Sequence, residues 1–287
     1  MKKILILMLL LGSGFLQLNA CDICGFGVSN YNPFLFPHLS RTYIGFNYIH
    51  RFYHVHNDDG SLKKEYYNTF LFSGQYSLTG KIQIVALVPY QSNKLTSIGK
   101  IKNLTGFGDI TLLANYRLWS KASKITNQTI MIGGGIKLPT GKNAPTASSE
   151  IQEQAFQLGT GSIDYIVNGS YQLNLNNWIF RTMASYKYNT KNKTGYHFGN
   201  QINSGLTTAY RKDFSKFSIA PYLQIIEEIQ LKDVSNKILQ HNSGGQLLHT
   251  GFGIDINTNK IAFGLNYQCA GGFQSNPQLL TRISFVF

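Results

Sequence analysis

Residues 106–119 read as two different proteins when every second one is taken. Ile110, Leu112, Ala114, Tyr116 and Leu118 form an apolar row, while Asp109, Thr111, Asn115 and Arg117 form a polar row broken only by Leu113. A period of two held over this length specifies one extended strand with a dry face and a wet face. The dry row ends in aromatics, with Tyr116 and Trp119 near one end.

The same alternation recurs along the chain. Twelve segments carry it, at about 42–54, 67–78, 81–91, 106–119, 128–138, 161–173, 178–188, 201–211, 217–231, 247–257, 261–271 and 279–287. Charged residues are only 14% and aromatics 13%, with 28 Gly, which suits long strands better than a soluble α/β enzyme. The connections alternate too. Those at 78–81, 120–127, 174–177, 212–215 and 257–260 are short, whereas those at 57–65, 92–103, 140–158 and 232–246 are long and polar. Short turns on one side and long loops on the other predict an all-β, transmembrane, antiparallel up-and-down β-barrel of about 12 strands. A soluble sandwich also alternates, but its strands average about five or six residues and its loops lack this rhythm. The segments here approach the roughly 9–11 residues of a tilted spanning strand. An even strand count puts both termini on the short-turn, periplasmic side.

Residues 1–20 have the form of a signal peptide: Lys2-Lys3, an apolar run from Ile4 to Leu11, and Leu18-Asn19-Ala20 before the cleavage point. That run is shorter than the roughly 20 residues of a spanning helix, so export to the bacterial outer membrane is the reading. Residues 21–39 form a periplasmic or plug segment with Pro33 and Pro37, and 40–287 the barrel. Cys21 would be the first mature residue and forms a CxxC with Cys24. A local disulfide and lipidation of Cys21 rank ahead of a soft-metal site, which lacks further clustered ligands. The formal charge is +13, falling by two without Lys2 and Lys3. The excess suits solvated loops or contact with lipopolysaccharide and other outer-membrane lipid. No basic helix or basic-aromatic cluster points to nucleic acid.

Catalytic chemistry finds little support. The His-x-Ser pairs, His38 with Ser40 and His241 with Ser243, fall outside the strands. Glu227 and Glu228 point to opposite faces of one strand. His54-Val-His56-Asn57-Asp58 reads as a solvated loop rather than a metal site. Gly133-Gly134-Gly135 sits inside a strand, where Gly allows bending or close approach. No enzyme activity, cofactor or metal is expected. The wet rows instead supply lumen-lining candidates: Arg51, Gln75, Gln83, Asp109, Asn115, Arg117, Lys137, Asp164, Arg181, Lys187, Gln224, Glu228, Asp255 and Arg282. Charges of both signs inside a barrel can pair and hold a shape, or set a field along a pore. Twelve strands imply a narrow lumen suited to small solutes.

Residues 106–118, followed by Gly133-Gly-Gly-Ile-Lys137-Leu138-Pro139-Thr140-Gly141, resemble the outer-membrane family of the MetA pathway of phenol degradation. Its members pair a GxGD strand with a Leu-Pro-Thr-Gly exit from the next strand. The Cys21-Asp-Ile-Cys24-Gly25 start is similar to exported transporter barrels of Bacteroidetes. The resemblance implies a barrel passing small solutes, hydrophobic or aromatic ones among them, and carries over no ligand residues. The final Ile283-Ser-Phe-Val-Phe287 resembles the signal by which barrel-assembly machinery recognises its clients. A channel or transporter is thus the leading function. A closed structural or surface-binding barrel is the second reading, and an outer-membrane lipid hydrolase the third. The mass of the mature amino terminus separates disulfide, lipid and metal at Cys21 and Cys24.

Overall fold

A strand dry on one face and wet on the other can hide its dry face in a protein core or turn it to lipid. The computed structural model, which describes residues 41–56, 62–97, 100–143, 156–241, 243–270 and 277–287, shows the second arrangement. The large apolar residues of the dry rows are exposed, Ile44, Phe72, Val167, Leu223 and Phe252 among them, while polar residues such as Asn47, Lys137, Asp164 and Ser284 are buried. This inversion of the soluble pattern is that of a membrane barrel.

Twelve strands make the wall: β1 (Tyr43–His56), β2 (Leu62–Ser77), β3 (Ile82–Ser97), β4 in two lengths (Lys100–Phe107 and Ile110–Ala122), β5 (Thr126–Leu138), β6 (Asp164–Leu175), β7 (Trp178–Tyr188), β8 (Gln201–Tyr210), β9 (Ser218–Gln230), β10 (Gly245–Asn257), β11 (Ile261–Ala270) and β12 (Pro277–Val286). Each pairs antiparallel with its sequence neighbours. The ring closes where β1 meets β12, in a register running from Tyr43 opposite Val286 to Arg51 opposite Gln278. Among the described residues the wall strands are paired on both edges, the outer length of β4 (Lys100–Phe107) excepted, which pairs with β3 alone. Hydrocarbon demands such pairing of backbone polar groups. Aromatics gather where the wall leaves the lipid. At the short-turn end Trp178 packs edge-on against Tyr210, with ring centroids 5.1 Å apart. Tyr76 and Trp119 are exposed near the same end.

Three stretches expected to be loops are structured. The 92–103 segment is the tip of a long hairpin, with Tyr90 to Ser97 paired to Phe107 to Lys100. Strand β2 starts at Leu62, within the expected 57–65 loop, and β1 runs through His56, so His54 and His56 stand on a strand. The 232–246 connection carries a small hairpin, Val234–Ser235 with Ile238–Leu239, that also pairs with Tyr196–His197. Both termini of β4 are therefore displaced from expectation: the bend at Gly108 lies within a long strand, where the Gly108 amide donates to the Pro89 carbonyl at 2.8 Å. Residues 1–40, with Cys21, Cys24, His38 and Ser40, lie outside the described residues, as do Asn57 and Asp58.

The Gly-rich run of β5 works by close approach. Gly135 faces the lumen between Leu113 of β4 and Ile166 of β6. A Cβ there would overlap the Leu112 carbonyl oxygen and come 2.8 Å from Leu113 Cδ2. Gly74, on the lipid face of β2, has open space within 4 Å of a would-be Cβ. Gly135→Val should cost at least the roughly 1–3 kcal/mol of an overpacked interior and abolish the folded, heat-modifiable species on a gel. Gly74→Val should fold like the parent.

Candidate functional site

The lumen-facing residues divide into layers. Near the long-loop end, Asp109 of the β4 bend, Lys137 of β5 and Asp164 of β6 come together. The Lys137 ammonium lies 2.6 Å from a carboxylate oxygen of each, and all three side chains are shut off from solvent. Lys137 also donates to Thr160 Oγ1. A buried charge must be paired, and here two carboxylates share one ammonium, so backbone and hydroxyl donors supply the rest. Asp109 accepts from the amides of Gly141 at 3.0 Å and Thr160 at 2.9 Å. Asp164 accepts from Ser162 Oγ at 2.8 Å and the Thr190 amide at 3.0 Å. Lys187 of β7 stands within electrostatic reach of the same group and of Glu228.

These bonds fold part of the loop after β5 into the barrel. Residues 156–162 cross beneath the long-loop rim with Phe156, Leu158, Thr160 and Ser162 buried. Asn93 donates to the Phe156 carbonyl at 3.4 Å, Asn143 to that of Gly159 at 2.8 Å, and Asn192 to that of Thr160 at 3.2 Å. Gly159 is needed because a Cβ would overlap Asp109 Oδ1. Phe156 packs edge-on against Tyr67, and the Lys102 ammonium lies 5.7 Å from its ring centroid. The candidate plug at 21–39 lies outside the described residues. The segment seen narrowing the lumen is this one.

Beyond the long-loop rim, Asp233 ties the small hairpin to the wall, accepting from Tyr196 Oη at 2.6 Å and the Gly199 amide at 2.7 Å. Burial pushes the Asp233 carboxyl above its ordinary range, opposed by the Tyr196 and Gly199 donors. Ser243, half of the His-x-Ser pair set aside on its place in a loop, is committed here: its Oγ accepts from the Asp233 amide and donates to the Gln240 carbonyl, both at 2.7 Å.

The middle of the lumen has two unlike walls. One is apolar: Ile49, Leu71, Val85, Leu87, Leu113, Ile166 and Leu280, from β1–β4, β6 and β12, form a single buried cluster. The opposite wall, β8 to β11, presents neutral amides. Gln224 donates to Asn266 at 3.2 Å and Gln268 at 3.0 Å, while Gln201 donates to Gln230 at 3.2 Å nearer the long-loop rim. Glu227 and Glu228 do point apart. Glu227 bonds Ser204 and Gln246 on the outer face, while Glu228 lies inside, 3.5 Å from His249 Nε2.

The third layer lies toward the short turns. Arg282 Nη2 meets Asp255 at 2.6 Å, and Arg181 bonds Gln172. Both arginines line a cavity of about 450 Å³ that reaches the short-turn rim. On the β3–β5 side, Asn115 and Arg117 are half-buried. Gln75 and Gln83 are buried near the same end, and Arg51 donates to Gln278 at 3.1 Å in the other half. The expected site residues are thus dispersed over three layers, and the structure joins Asp109, Lys137 and Asp164 in one and Arg181, Asp255 and Arg282 in another. Among the described residues no group of three or more His, Cys, Asp or Glu is placed to hold a metal ion. Two features escaped sequence reasoning: the inserted 156–162 segment, signalled only by Gly159-Thr160-Gly161-Ser162, and the apolar lumen wall, signalled by interruptions such as Leu113.

The family model described as "Putative MetA-pathway of phenol degradation" matches residues 62–273. The chain belongs to this family. The match takes in the GxGD bend, the Lys137 strand and the inserted segment, and leaves out β1 and β12, which close the ring. No curated protein matches the chain by sequence. Among solved structures, an outer-membrane channel from Pseudomonas putida F1 superposes with a TM-score of 0.65 at 15% identity, over 90% of this chain and 100% of that one. The translocator domain of the autotransporter NalP from Neisseria meningitidis gives 0.50 at 12% identity, over 89% and 91%. At such identities the likeness is one of fold: this family member is an outer-membrane β-barrel.

The pinned segment makes a direct prediction. Lys137→Met leaves two buried carboxylates without their cation and should destabilise the barrel by about 3–5 kcal/mol. It should also open residues 156–162 to protease. Adding Asp109→Asn and Asp164→Asn should recover most of the stability. An unaltered unfolding midpoint in Lys137→Met would contradict this account.

Proposed function

We propose that the barrel passes small solutes across the outer membrane, hydrophobic and aromatic ones included, without making or breaking bonds in them. The observation that carries this is the pair of unlike walls at mid-lumen. Polar side chains are the ordinary lining of a wet pore. Here seven apolar side chains replace them on one side, and the amides of Gln224, Asn266 and Gln268 face them on the other, with Glu228 further along the inward row, nearer the long-loop end. Such a lining offers an apolar molecule a surface on which it loses little, and offers an ion no compensation for its hydration. Gln and Asn are also long or pliant neutral groups, whose mutual bonds exchange at small net cost. The family description, which concerns phenol degradation, and the Pseudomonas structure, described as an outer-membrane channel, support the same reading.

A surface-binding role has its own support in one place. The lipid-side face of the β2–β4 hairpins forms an open groove of about 580 Å³, lined by Lys64, Lys94 and the polar groups of Tyr66, Asn68, Ser92 and Thr105. It lies toward the long-loop end, where anionic headgroups of lipopolysaccharide would meet lysines. The two roles can coexist on opposite faces of one wall.

Proteoliposome swelling with graded solutes tests passage. Small neutral aromatics such as phenol should enter faster than sugars of similar mass, and Leu113→Asn with Leu87→Asn should reduce that preference several-fold. No flux of any solute through a correctly folded barrel would refute the proposal.

A further inference from the structure

Charge is distributed unevenly along the barrel axis. In the long-loop half, Arg51, Lys137 and Lys187 stand against Asp109, Asp164 and Glu228. In the short-turn half, Arg117, Arg181 and Arg282 are turned inward from the strands with Asp255 as the carboxylate among them. The imbalance is concentrated at the cavity of about 450 Å³.

Two features of that cavity point to a ligand. The first is Arg181, which is nine-tenths buried yet has a neutral partner, Gln172, for both its Nε and its Nη2. The second is Arg282, equally buried, whose Nη2 serves Asp255 while its Nε has no hydrogen-bond partner. A buried guanidinium donor without an acceptor is costly, and its natural complement is a planar anion. Arg41 and Lys216 line the mouth and add to the positive field, whereas Arg211 is matched by Asp213 at 2.7 Å. Apolar surface is also present: Ile179, Ala209, Ala220 and the ring of Tyr222 line the same space.

We propose that this short-turn vestibule binds a small carboxylate carrying an apolar ring, the carboxylate between Arg181 and Arg282 and the ring against Ile179, Ala209 and Tyr222. The site goes beyond the proposed passage, because it would bind such an anion whether or not the barrel conducts. If the barrel does conduct, the vestibule gives it a preference for aromatic acids at the periplasmic end. Cations concentrated in a low-dielectric cleft raise the local concentration of anions.

Benzoate, benzyl alcohol and benzylammonium share a ring and differ in charge, so titration calorimetry on the full detergent-solubilised protein isolates the carboxylate. Benzoate should bind, with an affinity that falls as salt is raised, and the other two should bind at least about tenfold more weakly. Arg181→Gln removes a cation whose hydrogen-bond partner is neutral, so the barrel should fold normally and lose about tenfold in benzoate affinity. Asp255→Asn should tighten benzoate several-fold by freeing Arg282, the opposite sign to a merely structural lesion. Equal binding of benzoate and benzyl alcohol, or benzoate binding indifferent to both substitutions, would overturn the site. Because binding is read without a membrane, benzoate binding in the absence of liposome flux would sustain the site while removing the passage, and flux without benzoate binding would do the reverse.

Discussion

Inside hydrocarbon, a backbone N–H or C=O without a partner costs several kcal/mol, and nothing in the lipid can supply that partner. The structure answers this with a sheet closed on itself, β1 held to β12 along nine residue pairs from Tyr43 to Arg51. The remaining features follow from that closure. Once the strands are paired around the ring, the two faces of each strand see different solvents. Ile110, Leu112 and Tyr116 belong outside for the reason that Asp109 and Thr111 belong inside.

Closure also creates an interior that must be filled or furnished. Twelve strands leave more room than side chains alone fill conveniently, and this chain divides the space among three materials. A loop segment enters near one rim, pinned by Asp109 and Thr160. An apolar wall faces an amide wall at the waist. A cationic vestibule opens at the other rim. The buried Asp109–Lys137–Asp164 group is poor evidence of stability in itself, since buried ion pairs seldom repay their desolvation. Its geometry serves position instead: four carboxylate-bound donors from residues 141–162 set the segment against the β4–β6 wall. Gly135 and Gly159 are the steric counterpart, each leaving space that a neighbour occupies.

The wall was legible in the sequence because a period of two survives wherever one face is in lipid and the other is not. That is why twelve strands could be read, β8 and β9 included. The same logic explains where the pattern stops. Beyond the lipid the outward side of the β3–β4 hairpin is polar as well, so exposed Lys94 follows buried Asn93 with no change of polarity although the ladder continues through both. Hydrogen bonding persisted where the hydrophobic signal stopped. Inward Leu113, Ile166 and Leu280 were legible only as breaks in a polar row, because one strand cannot reveal that its breaks meet those of five others. The arginine vestibule was half legible. Arg181, Asp255 and Arg282 could be placed on inward rows, but their convergence depends on strands far apart in the chain. The Asp109–Lys137 contact joins the two family motifs in space, which spacing alone did not show.

The central claim is that one face of each strand lies in lipid and the other in a closed interior, and site-directed spin labelling along β6 tests it most directly. Labels placed singly at residues 165 to 172 in bilayers should alternate. Positions 165, 167, 169 and 171 should be accessible to oxygen dissolved in the lipid, and 166, 168, 170 and 172 shielded from it. Accessibility without a period of two, or a polar relaxation agent reaching both sets equally, would contradict the account.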